Sequence, residues 1–150
     1  MGSLCHACHD EAMSDTFTAL VLRETDDGHV GALEQLTDAD LPDGDVTVAV
    51  DFSSLNFKDG LALAGKNRIV RSYPMVPGID LTGTVVASDS PKWAIGDELI
   101  STSFMVGERY WGGFTQRQRV KSDWLVRRPS SMSARTAMAI GTAGLTAMLC

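Results

Sequence analysis

Val46-Thr47-Val48-Ala49-Val50-Asp51-Phe52-Ser53 alternates apolar residues with polar or small ones. Side chains that repeat every second residue share one face of a β-strand, so this run predicts a half-buried strand. Upstream, Asp38 to Asp45 holds Pro42-Asp43-Gly44 and reads as a loop. Before it, the apolar runs Phe17–Arg23 and Val30–Leu36 flank Asp26-Asp27-Gly28, a hairpin signal. Downstream, Asn56 suits a helix N-cap and Gly65 a C′ position, which predicts a short helix between them. Pro74 and Pro77-Gly78 then break the chain. Ile79–Ala87 is strand-like, and Gly83 inside it marks a bulge or a close backbone approach. Ile95-Gly96-Asp97-Glu98 is a turn feeding another strand. Gly112-Gly113 opens a strand expected to turn Phe114 and Val120 one way and Arg117, Arg119 and Lys121 the other, onto a solvated face. Ser133 caps a helix from Ala134. Short strands, two or three helices and frequent turns predict a mainly β fold, a small barrel or sandwich. An α+β sheet with a helix on one face is the alternative.

Composition narrows the function. The 150 residues are 44% hydrophobic and 21% charged, which is ordinary globular composition. Thirteen Lys+Arg against nineteen Asp+Glu leave a net charge of −6, a poor match to nucleic acid or an anionic membrane surface. The longest near-apolar run, Ala137 to Cys150, falls short of the roughly 18 residues that span a bilayer. The start of the chain lacks the basic and apolar blocks of a secretory signal, and three Cys do not form a disulfide framework. A reducing cytoplasm is therefore the expected compartment. Residues 1–12 read as a leader or cloning remnant. Residues 13–136 form the patterned domain, and 137–150 begin a small, apolar helix whose faces need something to bury against. That helix predicts a further domain or an associating copy, a homodimer being the simplest form.

Several motifs carry candidate chemistry. Cys5-His6-Ala7-Cys8-His9 matches the C-x-x-C-H haem-attachment pattern, but without an export signal and outside the patterned region. Adventitious zinc or nickel binding by the same side chains is the competing reading. Gly60 to Asn67 approximates a P-loop, yet Asn67 replaces the metal-binding hydroxyl, and Leu61-Ala62-Leu63-Ala64 itself forms helix. No two of the fourteen glycines stand two positions apart, which excludes a G-x-G-x-x-G dinucleotide fingerprint. His29 reads as a solvated turn residue. Arg117, Arg119 and Lys121 on their strand face, and Lys66, Arg68 and Arg71 in a loop, are basic groups that read as a solvated face or as a dock for phosphates on a small-molecule cofactor or substrate.

Five ordered motifs carry more: Ser53-Ser54-Leu55-Asn56-Phe57-Lys58-Asp59-Gly60, Tyr73-Pro74-Met75-Val76-Pro77-Gly78-Ile79-Asp80, Gly96-Asp97-Glu98, Gly107-Glu108-Arg109-Tyr110-Trp111-Gly112-Gly113 and Ile140-Gly141-Thr142-Ala143-Gly144-Leu145-Thr146-Ala147. Together they resemble the N-terminal catalytic domain of the medium-chain dehydrogenase/reductase superfamily. The resemblance is to its zinc-free, quinone-oxidoreductase-like branch and the acrylyl-CoA reductase group. It implies a chaperonin-10-like (GroES-like), partly open β-barrel, here without the Rossmann domain that would bind NADPH. It implies reduction of an activated C=C bond in a small-molecule enoyl-CoA, or of a quinone, by an enzyme of which this chain alone is inactive. Zinc-dependent members place Cys, His and Cys where Asn56, Ile79 and a residue near Thr142 stand, so the resemblance implies no zinc. By family position Asn56 and Phe57 line the nicotinamide end of the cleft, and Thr142 and Thr146 meet the cofactor from the crossing helix. Asn56 and Asp80 are the catalytic candidates, Asp80 beside the lost ligand position, and Tyr110 and Trp111 wall the substrate pocket. Each has a structural alternative: Asn56 as a plain helix cap, the aromatics as core, Asp80 as a hydrogen-bonded barrel carboxylate.

Overall fold

A computed structural model describes residues 16–150. The hairpin forms where the turn signal places it: β1 (Thr16–Thr25) and β2 (Gly28–Thr37) pair antiparallel around Asp26-Asp27. A second, five-stranded antiparallel sheet has the order β6-β3-β4-β5-β7, with β3 (Val46–Phe52), β4 (Asp80–Ser88), β5 (Glu98–Thr102), β6 (Arg117–Val120) and β7 (Val126–Arg127). Backbone bonds from Leu20 to Phe114 and from Gln116 to Thr18, both 2.9 Å, stitch β1 to the segment entering β6. Met75 and Leu22 exchange a further pair of 2.9 and 2.7 Å. The hairpin is thereby drawn against the larger sheet, as in the partly open GroES-like barrel that the resemblance implied.

Two apolar clusters fill the body. Val46, Val48, Leu81, Val85, Trp93, Leu99, Val120 and Leu125 form one inside the larger sheet. Phe17, Ala19, Val21, Leu36, Leu41 and Val76 form the other beneath the hairpin, with Trp111 and Phe114 packed against them. A fully enclosed side chain such as Leu81 contributes about 1.5–3 kcal/mol to stability relative to exposure.

The two helices begin and end on their caps. Helix α1 (Phe57–Leu63) follows Asn56 at the N-cap and stops before Gly65, at φ 65°. Helix α2 (Ala134–Leu149) starts from Ser133, whose Oγ accepts the Thr136 N–H at 3.1 Å. The boundary expected at 136/137 therefore falls inside α2. A break within α2 was not foreseen: Gly141 takes φ 46° and ψ −159°, outside helical space. The first part of the helix buries Ala137 and Met138 against the sheet, whereas Met148 near its end is 83% exposed.

Three expectations are corrected. Strand β6 covers only Arg117–Val120, because Gly112 and Gly113 instead lie against the Pro77-Gly78 backbone, with N–H···O bonds of 2.6 Å to Val76 and 2.8 Å to Gly78. Arg117 is not on a solvated face. The hairpin covers it, its guanidinium lying 5.5 Å from the Phe17 ring centroid and pairing with Asp38. Arg119 bonds Thr47 Oγ1 at 3.2 Å, and Lys121 sits over the Tyr110 and Trp124 rings, so the three cations occupy three different surroundings. His29 is more than a turn residue: its Nε2 lies 3.1 Å from the Leu63 carbonyl and its ring stacks on Tyr73.

Candidate functional site

The start of β4, the loop before α1 and the break in α2 meet at one carboxylate. Asp80 is fully buried and accepts four hydrogen bonds. Ser54 Oγ donates to Oδ2 at 2.6 Å, Asn56 Nδ2 at 3.1 Å and the Thr142 N–H at 2.8 Å. Thr142 Oγ1 donates to Oδ1 at 2.5 Å. Burying a charge is costly unless it is fully hydrogen-bonded. Here the donors come from residues 24 to 62 positions away in sequence, so the barrel must close before the site exists.

The break at Gly141 makes this arrangement possible. In a continuous helix the Thr142 N–H would bond the carbonyl four residues back. The left-handed φ of Gly141 releases it, and the amide turns onto Asp80. A Cβ at Gly141 would stand 2.8 Å from Asp80 Oδ2 and 2.9 Å from Ser54 Oγ, so both conformation and space select glycine. The second half of α2 thus begins on a carboxylate, an arrangement the helix dipole favours.

A second carboxylate braces the same loop from below. Asp59 Oδ2 accepts the Asn56 N–H at 2.8 Å in a capping box, and Oδ1 accepts the Ile79 N–H at 3.0 Å. It ties the first turn of α1 to the residue preceding Asp80. Burial pushes the Asp59 carboxyl above the ordinary 3.8, outweighing the N–H groups of Asn56 and Ile79 that pull it down. The native state therefore holds the Asp59 proton more tightly than the unfolded chain. The stability this group contributes is full below 3.8 and falls as pH rises from there through the raised native value. An NMR titration of the Asp59 carboxyl should give a midpoint above 3.8, and Asp59→Asn should remove this decline; a midpoint at or below 3.8 contradicts the assignment.

Beside the cluster runs an open groove of about 350 Å³, walled by Phe52, Leu55 and Asn56 on one side and Arg135, Met138 and Ile140 on the other. Of the sequence-predicted site residues, Asn56, Asp80 and Thr142 are in direct contact. Phe57 is 85% exposed at the start of α1. Thr146 is exposed on α2, its Oγ1 bonding the Thr142 carbonyl at 2.7 Å. Tyr110 and Trp111 do not join the cluster. Tyr110 packs on Trp124 with ring centroids 4.7 Å apart, and Trp124 stacks in turn on Phe104. Trp111 packs on the hairpin core, and its Nε1 donates to the Pro74 carbonyl at 3.0 Å. Ser54, Asp59 and Gly141 were missed. The spacing Asn56-x-x-Asp59 was a legible capping signal, but no local pattern announced the other two.

Asn56 occupies the N-cap position, as its structural alternative required, yet its amide nitrogen is turned to Asp80 and Ser54. Among the described residues no three His, Cys, Asp or Glu side chains gather in a way that could hold a metal ion, and no helix is long and apolar enough to cross a membrane. The C-x-x-C-H pattern lies outside the described residues.

A closed set of hydrogen-bonded loops at the open end of a small barrel, beside a helix leaving the sheet, defines a class. The chain belongs to the family of alcohol dehydrogenase GroES-like domains, whose model matches residues 42–130. Its relatives place it within the medium-chain dehydrogenase/reductases. It is 51% identical over 132 residues to the probable acrylyl-CoA reductase AcuI of Escherichia coli and 47% identical over 135 residues to the acrylyl-CoA reductase AcuI of Ruegeria pomeroyi. These matches cover 88% and 89% of this chain, and it spans 41% of the length of each relative. Among solved structures, the yhdH oxidoreductase of Salmonella enterica in complex with NADP is 52% identical, with a TM-score of 0.85, over 89% of this chain and 41% of that one.

Proposed function

We propose that this chain forms the substrate-side wall of the cleft in an NADPH-dependent reductase that acts on the activated C=C bond of an enoyl thioester such as acrylyl-CoA. One observation carries the reading. The loop 53–56 and the break in α2 are clasped together by Asp80, and that clasp fixes a groove whose walls are mostly apolar. Identities of 51% and 47% to a probable and a named acrylyl-CoA reductase, against 42% to a putative quinone oxidoreductase of Bacillus subtilis, favour the thioester over the quinone. The donor set suits a nicotinamide rather than zinc: Asn56, Ile79 and Thr142 offer an amide, an alkyl group and a hydroxyl, none a strong zinc ligand.

NADPH, when bound, supplies a hydride to the carbon β to the thioester carbonyl. The residues of this chain set the stage for it. Asn56 and Phe57 flank the nicotinamide end, and Thr146 meets it from α2. Asp80 and Thr142 act as positioning residues, since every polar atom they share is already engaged within the clasp. Phe52, Leu55 and Met138 give the open groove an apolar wall against which an acyl group can pack. The acyl-pocket role of Tyr110 and Trp111 rests on the family resemblance, with Tyr110 seated on Trp124 and Trp111 bonded to the Pro74 carbonyl.

The test is a chimera in which this chain replaces the matching part of the Escherichia coli relative. NADPH should be oxidised with acrylyl-CoA, and more slowly with quinones. No oxidation with any enoyl thioester, while the parent enzyme remains active, defeats the reading. Turnover confined to quinones transfers the assignment to quinone reduction.

A further inference from the structure

The far end of α1 carries a second groove that the clasp does not use. It encloses about 420 Å³ and is lined by Glu24, His29, Arg68, Arg71, Ser72 and Tyr73. Volumes of this size hold small ligands. Its chemistry is cationic on an acidic protein. Arg23, Arg117, Arg127 and Arg128 each meet a carboxylate. Arg68 and Arg71 meet none among the described residues, as is also true of Arg109, Arg119 and Arg135, but only Arg68 and Arg71 share one groove. Glu24 is the one carboxylate among these lining residues, set against two guanidinium groups.

The loop that presents them is held at both ends. The Lys66 N–H bonds Leu61 at 2.9 Å, the Arg71 N–H bonds the Glu108 carbonyl at 2.9 Å, and Met75 pairs with Leu22. Between these anchors Asn67 and Arg68 take φ 58° and 49°, a left-handed conformation that a long side chain such as arginine rarely adopts. Strain of this kind persists where the surrounding structure enforces it, commonly at binding sites. In the same groove His29 and Tyr73 stack with ring centroids 5.7 Å apart and add an aromatic surface. Two guanidinium groups with no carboxylate partner among the described residues, beside an aromatic surface, match a phosphorylated adenine nucleotide, the guanidinium forks taking phosphate and the rings taking the base.

We propose that this groove binds the phosphorylated adenosine end of the coenzyme A carrier, a role that rests on the enoyl-thioester reading above. Helix α1 sets the distance. It has the Asp80 clasp at its N-terminal end and the groove beyond its C-terminal end, and its seven residues at about 1.5 Å each put roughly 10 Å of helix between them. A pantetheine arm spans that separation. The thioester then lies by Asn56 while its nucleotide is gripped by Arg68 and Arg71.

The groove lies wholly within this chain, so calorimetric titration of the 150-residue protein tests it without any redox partner. The probes are coenzyme A, adenosine 3′,5′-bisphosphate, phosphate-free pantetheine and NADP. Coenzyme A and the bisphosphate should bind, and pantetheine should not. The double variant Arg68→Asn, Arg71→Gln should weaken both by about ten-fold per arginine removed. Asn suits the positive φ at 68 and both side chains are exposed, so the fold should persist. Binding by the unaltered protein should also weaken steeply with salt. Absence of coenzyme A binding, an unchanged affinity in the double variant, insensitivity to salt, or equal competition by NADP overturns the proposal. An active chimera combined with any of these results leaves the reductase reading standing and removes only the nucleotide groove.

Discussion

Asp80→Ala is expected to lower the stability of the protein by about 2–4 kcal/mol, because it leaves several buried or half-buried donors without an acceptor. The loss is not the maximal sum over four bonds. Ser54, Asn56 and Thr142 are only half-buried and recover part of their hydrogen bonding from water. Asp80→Asn should cost less, about 1–2 kcal/mol, since one oxygen remains to accept from Thr142 while the new amide meets a donor. Denaturant unfolding measures both. Amide exchange at Thr142 separates the clasp from a general effect: its protection should collapse in Asp80→Ala at denaturant concentrations where β3 and β4 amides remain protected. A Thr142 amide that stays protected would mean that the break in α2 is held by packing alone, and the positioning role assigned to Asp80 would fail with it.

Gly83→Ala carries a second large effect. Gly83 pairs with Val50 across β3 and β4, next to an irregular register between Val50 and Phe52. A Cβ there would stand 2.1 Å from the Ala49 carbonyl oxygen and 2.7 Å from Val48 Cγ1. The first of these atoms is backbone in the adjoining strand and cannot swing aside. The two central strands must separate to admit a methyl group, at about 3 kcal/mol or more. Gly60→Ala is the matched control. Gly60 lies in α1 with nothing within 4 Å of the added carbon, so alanine there should stabilise by about 0.4–1 kcal/mol through the unfolded chain. Equal midpoints for the two variants would refute the close approach of β3 and β4.

Gly83 also shows how far the sequence could be read. A glycine within an apolar, β-branched run signals a bulge or a close approach, and Gly83 has a close approach beside a register shift. Which atom approaches was not legible, because the partner strand was chosen by the sheet order β6-β3-β4-β5-β7. The helix limits were legible for a similar reason. Asn56, Gly65 and Ser133 act on backbone groups within four residues of themselves, so their effect is written locally. Arg117 marks where local reading failed. Its alternation with Phe114 and Val120 was that of a solvated charge, and only the hairpin folding over it turned that charge inward onto Asp38 and Phe17.

By itself the sequence determined most of the strands (β7 and the start of β6 excepted), the two helices with their N-caps, the hairpin turn and, through its ordered motifs, the family. These follow from periodicity and capping, which act between near neighbours. Only the tertiary structure decided that Ser54, Asn56 and Thr142 converge on Asp80, that Gly141 breaks α2 to release an amide to it, and that Arg68 and Arg71 face a groove beside His29 and Tyr73. Hydrogen-bond partners 62 residues apart become neighbours only when the barrel closes, and no pattern within a turn or a strand encodes that.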